Sequence, residues 1–478
     1  MVVGEFAQKR QLIIIGGGPG GYNAAIRAAQ LGMEVTLIEK EKLGGVCLNK
    51  GCIPSKVLTY AASQYKGVHQ LNGMGIETGA AVFHPEKFRE YQTTIVSNLQ
   101  KGVEALCKAN KIEIVAGTAS FMSENRIGVD SGHHFEMYEY EHAMIATGAH
   151  PVLPEGIEKA GDRILSGYDL VNLDVVPEHF IVYGSDYIAL ETATAYRNLG
   201  SNVTLIMKEE TFAFDSTITK ELLRVLKKAK IKVLKSSKLI ETVSDDEKVA
   251  VTVQSESGEK ATIEGSHLFI SFEYKSNTKD LGLEMVNIDL DEKGSILVND
   301  VSQTNVENIY AVGDCTIGPK LASRAIKQGK TAAEHIAGIK SSYNLSFVPM
   351  IVHTTPPIAT VGLTEEEAKE QGYNVKTGQF AISGNGYAAI LGQKEGVAKM
   401  IVDKESDLLL GVHMMGAGAG EMIHAGTLAL EMVAREEDVS YPIFAHPSLN
   451  ESWLEAIENV TGKAIHIAPP KKKETSNV

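Results

Sequence analysis

The sequence predicts an α/β protein of several packed units that opens on a nucleotide-binding fold. Three observations point there: the chain length, the glycine content, and a strand–turn–helix signature near the N-terminus. At roughly 150 residues per domain, 478 residues imply three or four units and exclude a small binding module. Hydrophobic residues at 44% and charged residues at 22% match soluble globular proteins, and 45 glycines exceed the ~7% norm. Disorder and coiled coil are poor readings of such a chain.

Charge and apolar patterning narrow the class further. There are 46 basic against 60 acidic residues, a net charge of −14, which disfavours a phosphate-tracking nucleic-acid surface. No uninterrupted apolar stretch of about 20 residues occurs, and Met1–Arg10 carries charge where a secretory signal needs an apolar core. The expectation is a cytoplasmic protein without a membrane partner. Lys471–Lys473 follows Pro469-Pro470 and reads as part of a disordered tail over 471–478. Four cysteines are too few to staple a chain of this length, so any pairing should serve chemistry.

The N-terminal signature begins with the apolar run Leu12-Ile13-Ile14-Ile15. Gly16-Gly17-Gly18-Pro19-Gly20-Gly21 ends it, and Ala/Leu-rich helical sequence follows to Leu31. Gly16, Gly18 and Gly21 fit G-x-G-x-x-G: the first allows the turn, the second lets backbone approach a pyrophosphate, the third lets helix pack on strand. Val35-Thr36-Leu37-Ile38 supplies a second strand ending at Glu39, an acidic residue placed about 20 residues on to bind ribose hydroxyls. An ordinary turn is the competing reading of the glycines alone. Downstream, Ala146-Thr147-Gly148 closes another strand, and Thr304–Asp314, with Gly313 and Asp314 at its end, forms a second and less common signature. Together these resemble the FAD site of the flavoprotein disulfide reductases, in which the aspartate matching Asp314 holds the ribityl and phosphate portion.

Gly44-Gly45-Val46-Cys47-Leu48-Asn49-Lys50-Gly51-Cys52-Ile53-Pro54-Ser55-Lys56 is the most specific stretch of the chain. A zinc half-site and a structural bridge are the bland alternatives. Zinc would want another Cys/His pair, whereas Cys107 lies in a helical stretch and Cys315 follows Asp314, and both read as small core residues; no metal site is expected. The stretch resembles the redox disulfide of the dihydrolipoamide dehydrogenases, class I members of the pyridine nucleotide-disulfide oxidoreductases, and the likeness runs from about Gln11 to Pro469. Glutathione and mercuric reductases match less well, and the C-terminal vicinal cysteines of the latter are missing. The resemblance gives Cys47 interchange with a dithiol substrate and Cys52 the flavin-facing thiolate. It places the Lys56 ammonium near the flavin ring. Thiol exchange also needs a proton acceptor.

Ala445-His446-Pro447-Ser448-Leu449-Asn450-Glu451 offers one, with a chance histidine before a helix as the alternative. The resemblance makes His446 the base for the substrate thiol and Glu451 the group that fixes its tautomer and raises its basicity. It also places this pair opposite the disulfide of a partner subunit, so the expected state is a homodimer.

The resemblance implies two Rossmann-like dinucleotide-binding domains, of FAD and NAD type, plus a C-terminal α+β dimerisation domain. The expected boundaries are 1–150 for FAD, 151–274 for the NAD-type unit, 275–346 for a segment returning to FAD, and 347–470 for the interface. In the last, Thr364-Glu365-Glu366-Glu367 reads as a capping box opening a helix that stops at Gly372. Gly411–Arg435 suits either a subunit contact or plain core.

The NAD-type unit departs from the family. After Phe180-Ile181-Val182-Tyr183 comes Gly184-Ser185-Asp186-Tyr187-Ile188-Ala189-Leu190-Glu191, with Asp186 where the second glycine belongs. A carboxylate ~4 Å from a phosphate at an effective dielectric near 20 is repelled by about 4 kcal/mol, roughly a thousandfold in affinity. Met207 stands where the family offers a glutamate to the ribose, and Glu273 replaces a glycine near the nicotinamide path. Tyr187 and Glu191 are retained; in the family they face the flavin, as a gate and as partner of the lysine matching Lys56. The function implied is oxidation of a lipoyl dithiol through Cys47–Cys52 and FAD, normally with transfer to NAD. The dithiol is either free or carried on a lipoylated domain of a 2-oxo acid dehydrogenase complex. Three alternatives stay open: NAD binding through a shifted loop, an acceptor other than NAD, and a non-catalytic flavoprotein subunit.

Overall fold

The computed structural model describes residues 7–468 except 155, 156, 158 and 160, so the expected tail lies outside the described residues. The first sheet has seven strands. Gln8–Ile15, buried from Leu12 onward, lies between Val35–Glu39 and Phe135–Ile145 in parallel, with Glu113–Ala116 at the edge beyond Val35–Glu39. Apolar residues at consecutive positions suit a strand covered on both faces, as parallel sheets require. The late strand Ile309–Ala311 joins Phe135–Ile145 in parallel, so a distant segment completes the N-terminal sheet. Helices Pro19–Gln30 and Ala322–Ile336 pack on each other at backbone distance: a β-carbon on Gly329 would lie 2.4 Å from the Gly20 carbonyl oxygen.

The second sheet is five parallel strands in the order Lys232–Leu234, Asn202–Ile206, His179–Tyr183, His267–Ile270 and Ile164–Ser166. Helices Tyr187–Leu199 and Ser216–Lys228 follow its strands, and an antiparallel meander over Ser237–Ser244, Val249–Ser255 and Lys260–Gly265 forms a separate three-stranded sheet. A two-stranded ribbon, Ala149–Val152 against Glu273–Ser276, runs between the two nucleotide-type folds.

The C-terminal unit is an antiparallel sheet of five strands, and two of its three inner strands, Val397–Asp403 and Leu409–Met415, are buried throughout. Helix Glu451–Val460 packs on this sheet with Trp453, Ala456 and Ile457. Both halves of the capping box at Thr364 are present, and the helix it opens, Glu365–Glu370, stops two residues short of Gly372. A buried ion cluster joins this unit to the second: Lys399 donates to both oxygens of Asp215, at 3.0 and 2.8 Å, and to Glu365 at 2.6 Å. Cys107 and Cys315 are core residues with no exposure. No helix among the described residues is long and apolar enough to cross a membrane.

Candidate functional site

Gly16 adopts φ +107°, and a β-carbon there would lie 2.4 Å from the Ala146 carbonyl oxygen. One on Gly21 would lie 1.8 Å from the Gly16 carbonyl oxygen, so only glycine permits this strand–helix contact. Gly18 caps helix Pro19–Gln30 without a side chain, and the nearest atom to its absent β-carbon is the Gly45 Cα at 3.9 Å. The helix N-terminus is thus left open, a natural seat for pyrophosphate. Glu39 accepts from the amides of Gly17 at 2.7 Å and Glu41 at 2.8 Å, and its carboxylate lines a cavity of about 600 Å³ together with Leu43, Gln100, Lys108 and Lys111.

A second set of groups comes from the neighbouring strand ends. Thr147 Oγ1 donates to the Asn277 carbonyl at 2.7 Å, and Asn277 Nδ2 donates to the Thr147 carbonyl at 2.8 Å, with Gly148 at φ +70° between strands. Gly313 donates its amide to Gln328 at 2.9 Å, and the buried Arg324 donates to the Gly313 carbonyl at 2.8 Å. Burial pushes the Asp314 carboxyl up against the pull of Arg324 and Lys320. The Tyr168 hydroxyl is buried without a partner and feels the charges of Asp314 and Cys52. An open glycine seat, and near the adjoining strand ends an aspartate and an orphaned phenol, fit a dinucleotide such as FAD.

Cys47 sits on the short helix Gly45–Asn49, held by Asn49 Nδ2 to the Leu43 and Gly45 carbonyls at 3.0 and 2.9 Å. Cys52 is the first residue of helix Cys52–Val68, and Gly51 makes the bend between them. The two are unbridged, and each acts on the titration of the other. The interaction with Cys52, then burial, pushes the Cys47 thiol up. The interaction with Cys47, opposed by burial and aided by the Lys56 ammonium, pulls Cys52 down. Position at a helix N-terminus acts on Cys52 in the same direction. Lys56 lies one turn further on the same helix face. Its ammonium donates to both oxygens of Glu191, at 3.0 and 2.8 Å, and stands 5.8 Å from the centre of the Tyr187 ring.

His446 Nδ1 pairs with Glu451 at 2.7 Å, and the other carboxylate oxygen accepts the Ser448 amide at 2.8 Å. Asn385 ties down the Ser448 carbonyl at 2.9 Å. His446 hydrogen-bonding lowers the Glu451 carboxyl below its ordinary range. The histidine side chain is 81% exposed, so its own chain leaves the outer ring nitrogen facing outward and does not bring it to the cysteines.

In the second fold Gly184 takes φ +144°, and Asp186 is the N-cap of helix Tyr187–Leu199, its Oδ1 accepting the Ala189 amide at 2.9 Å. Its other oxygen accepts the Ser271 hydroxyl, and burial pushes the carboxyl up. Met207 is fully buried in the core, and the acid that faces the loop comes from two residues on, where Glu209 accepts the Ser185 hydroxyl at 2.8 Å. Glu273 is exposed on the ribbon. Strand alternation turns Tyr274 inward instead, its phenol against that of Tyr187, with Phe272 edge-on to Tyr274 and Tyr168 at 5.1 and 6.1 Å. Sequence reading passed over Tyr168, Ser271, Tyr274 and Glu209; only the strand register of Phe272–Asn277 carried a usable signal.

A redox-poised thiol pair beside a seat for a long dinucleotide defines a flavin-dependent thiol–disulfide enzyme. Comparison with known proteins agrees: the chain belongs to the pyridine nucleotide-disulphide oxidoreductase family, matching it over residues 10–329 and matching its dimerisation domain over residues 348–457. It is 38% identical to dihydrolipoyl dehydrogenase of Geobacillus stearothermophilus over 98% of this chain and 99% of that one. It is 37% identical to dihydrolipoyl dehydrogenase of Haloferax volcanii over 98% and 99%. Among solved structures, LpdA of Mycobacterium tuberculosis superposes with a TM-score of 0.87 at 26% identity, covering 94% of this chain and 99% of that one. The flavoprotein disulfide reductase RclA of Escherichia coli superposes with a TM-score of 0.84 at 26% identity, over 94% and 99%. The chain is an FAD-dependent disulfide oxidoreductase of the dihydrolipoyl dehydrogenase type.

Proposed function

We propose that the chain oxidises a lipoyl dithiol, with Cys47 as the interchange sulfur and Cys52 as the sulfur nearest the flavin. The observation that carries this is Cys52 at a helix N-terminus with Lys56 one turn behind it, which makes Cys52 the better leaving thiolate. Starting from the Cys47–Cys52 disulfide, a substrate thiolate attacks Cys47, the bond to Cys52 breaks, and Cys52 leaves as thiolate. The second substrate thiol then attacks the sulfur bound to Cys47, closing the cyclic disulfide and freeing Cys47. His446 of the partner subunit, oriented by Glu451, takes the proton from the attacking thiol. FAD, held by Gly16, Gly18, Gly21, Glu39, Thr147, Gly148, Gly313 and Asp314, supplies the acceptor for the electron pair. Lys56, anchored by Glu191, holds positive charge beside that place.

The expected boundaries at about 150, 274 and 346 belong to the same reading, supported by the ribbon between the two parallel sheets and by the return of Ile309–Ala311 to the first. So does a cytoplasmic setting, where a reducing pool suits a redox pair in a chain of four cysteines. A lipoylated domain of a 2-oxo acid dehydrogenase complex is the partner of matching chemistry. Anaerobic dihydrolipoamide added to the FAD-loaded homodimer tests the reading: a long-wavelength absorbance band is expected, absent in Cys52→Ser and no longer dependent on the dithiol in Cys47→Ser. Unchanged spectra in the wild type would overturn it.

A further inference from the structure

The family implies a second dinucleotide, NAD, and the chain contains an internal standard for its seat. The two folds place the same parts in the same order: a buried strand, a turn opened by a positive-φ glycine, and a helix that starts just after the turn. Gly16 corresponds to Gly184 and Gly18 to Asp186, each of the latter being the N-cap. At Gly18 the cap offers no side chain, and the space above it is open to 3.9 Å. At Asp186 the cap is an anion. One oxygen holds the amide of the third helical residue at 2.9 Å, and the other is held by Ser271 from the neighbouring strand end. The amide and the positive end of the helix dipole that would meet a phosphate are already serving a carboxylate.

Two further features lie near this cap. Ser185, the middle residue of the turn, is engaged by Glu209 at 2.8 Å, which adds a second carboxylate beside the turn. Tyr274 lies against Tyr187 and is backed by Phe272 and Tyr168, an aromatic cluster between ribbon and helix. The residues present do not fit NAD.

We propose that Asp186 is an internal stand-in for the pyrophosphate, and that it is the main determinant excluding NAD(H) from this fold. A like charge at contact distance from a phosphate weakens binding by roughly a thousandfold. The proposal concerns binding alone and does not rest on the dithiol reading.

Isothermal titration of the FAD-loaded homodimer with NADH tests it, using the wild type, Asp186→Gly and Asp186→Asn. Asparagine keeps a good N-cap and removes only the charge, so that variant retains the fold. The expected result is no saturable binding to the wild type at micromolar NADH, and an affinity gain on the order of tenfold or more in both variants. Micromolar binding to the wild type would overturn the proposal. So would variants that titrate like the wild type while remaining flavin-loaded with wild-type melting. Dihydrolipoamide added to the same samples separates the two readings: a wild type that ignores it sinks the dithiol assignment and leaves this one standing.

Discussion

Lys56 donates to both carboxylate oxygens of Glu191, and in doing so it ties the cysteine-bearing helix to the first helix of the second nucleotide fold. The Glu191 side chain is 4% exposed, and it also accepts the His353 amide at 2.8 Å. The ammonium is therefore fixed beside Cys52 and is not a mobile surface charge. Lys56→Met should raise the apparent pKa of the reactive thiol. Iodoacetamide alkylation of Cys52, followed against pH in the reduced enzyme, should shift to higher pH; an unshifted profile would show that the helix terminus alone lowers this thiol.

The outward-facing His446 predicts complementation between subunits. His446→Ala and Cys52→Ser homodimers should each lose about 10²-fold or more of dithiol turnover, the range for a general base and beyond it for the nucleophilic pair. Mixed dimers made from the two variants carry one site with both groups intact. Activity should return on mixing, and no recovery would place His446 outside the site.

Lys399, Asp215 and Glu365 predict a stability effect far from any chemistry. Burial pushes the Asp215 carboxyl up, but Lys399 and the Thr217 amide overcome it and hold it below the usual carboxylate range. Lys399→Met strands a fully buried anion and should cost about 3–5 kcal/mol in denaturant unfolding, with part recovered in Lys399→Met/Asp215→Asn. A depressed native pKa gives stability that is present above the unfolded value and lost as pH falls through the native one. The gap between wild type and Lys399→Met should therefore narrow in acid.

Asp186 predicts the opposite sign. Burial raises its carboxyl, so its contribution is fullest below the unfolded aspartate pKa and is lost as pH rises through the native value. Asp186→Asn should gain in Tm relative to wild type as pH climbs from acid to neutral. A difference that stays constant with pH would show that the carboxylate is compensated by its hydrogen bonds.

The parts of the site legible in sequence are those whose geometry is local. Gly16 to Gly21, Cys47 to Lys56, and His446 to Glu451 are each short stretches of chain, so each stands in the sequence as one motif whose family resemblance can be recognised. What stayed hidden comes from far along the chain. Asn277 reaches Thr147 across 130 positions, Ser271 reaches Asp186 across 85, and Lys399 reaches Asp215 across 184. Register was hidden too: Glu273 drew notice as a departure, but strand alternation exposes it and turns Tyr274 inward. Met207 read as a missing acceptor, whereas the fold uses it as core and lets Glu209 face the turn. The class of fold was legible because Leu12–Ile15 and Phe180–Tyr183 are apolar at consecutive positions and each is followed by a glycine turn.

The pairing of Ile309–Ala311 with Phe135–Ile145 also constrains biosynthesis. During translation the first sheet stays one strand short until the whole second fold has emerged from the ribosome, since helix Ala322–Ile336 and the strand before it arrive last. The N-terminal unit therefore cannot mature as an independent nascent domain, and it waits, with an open edge, on sequence made long afterwards.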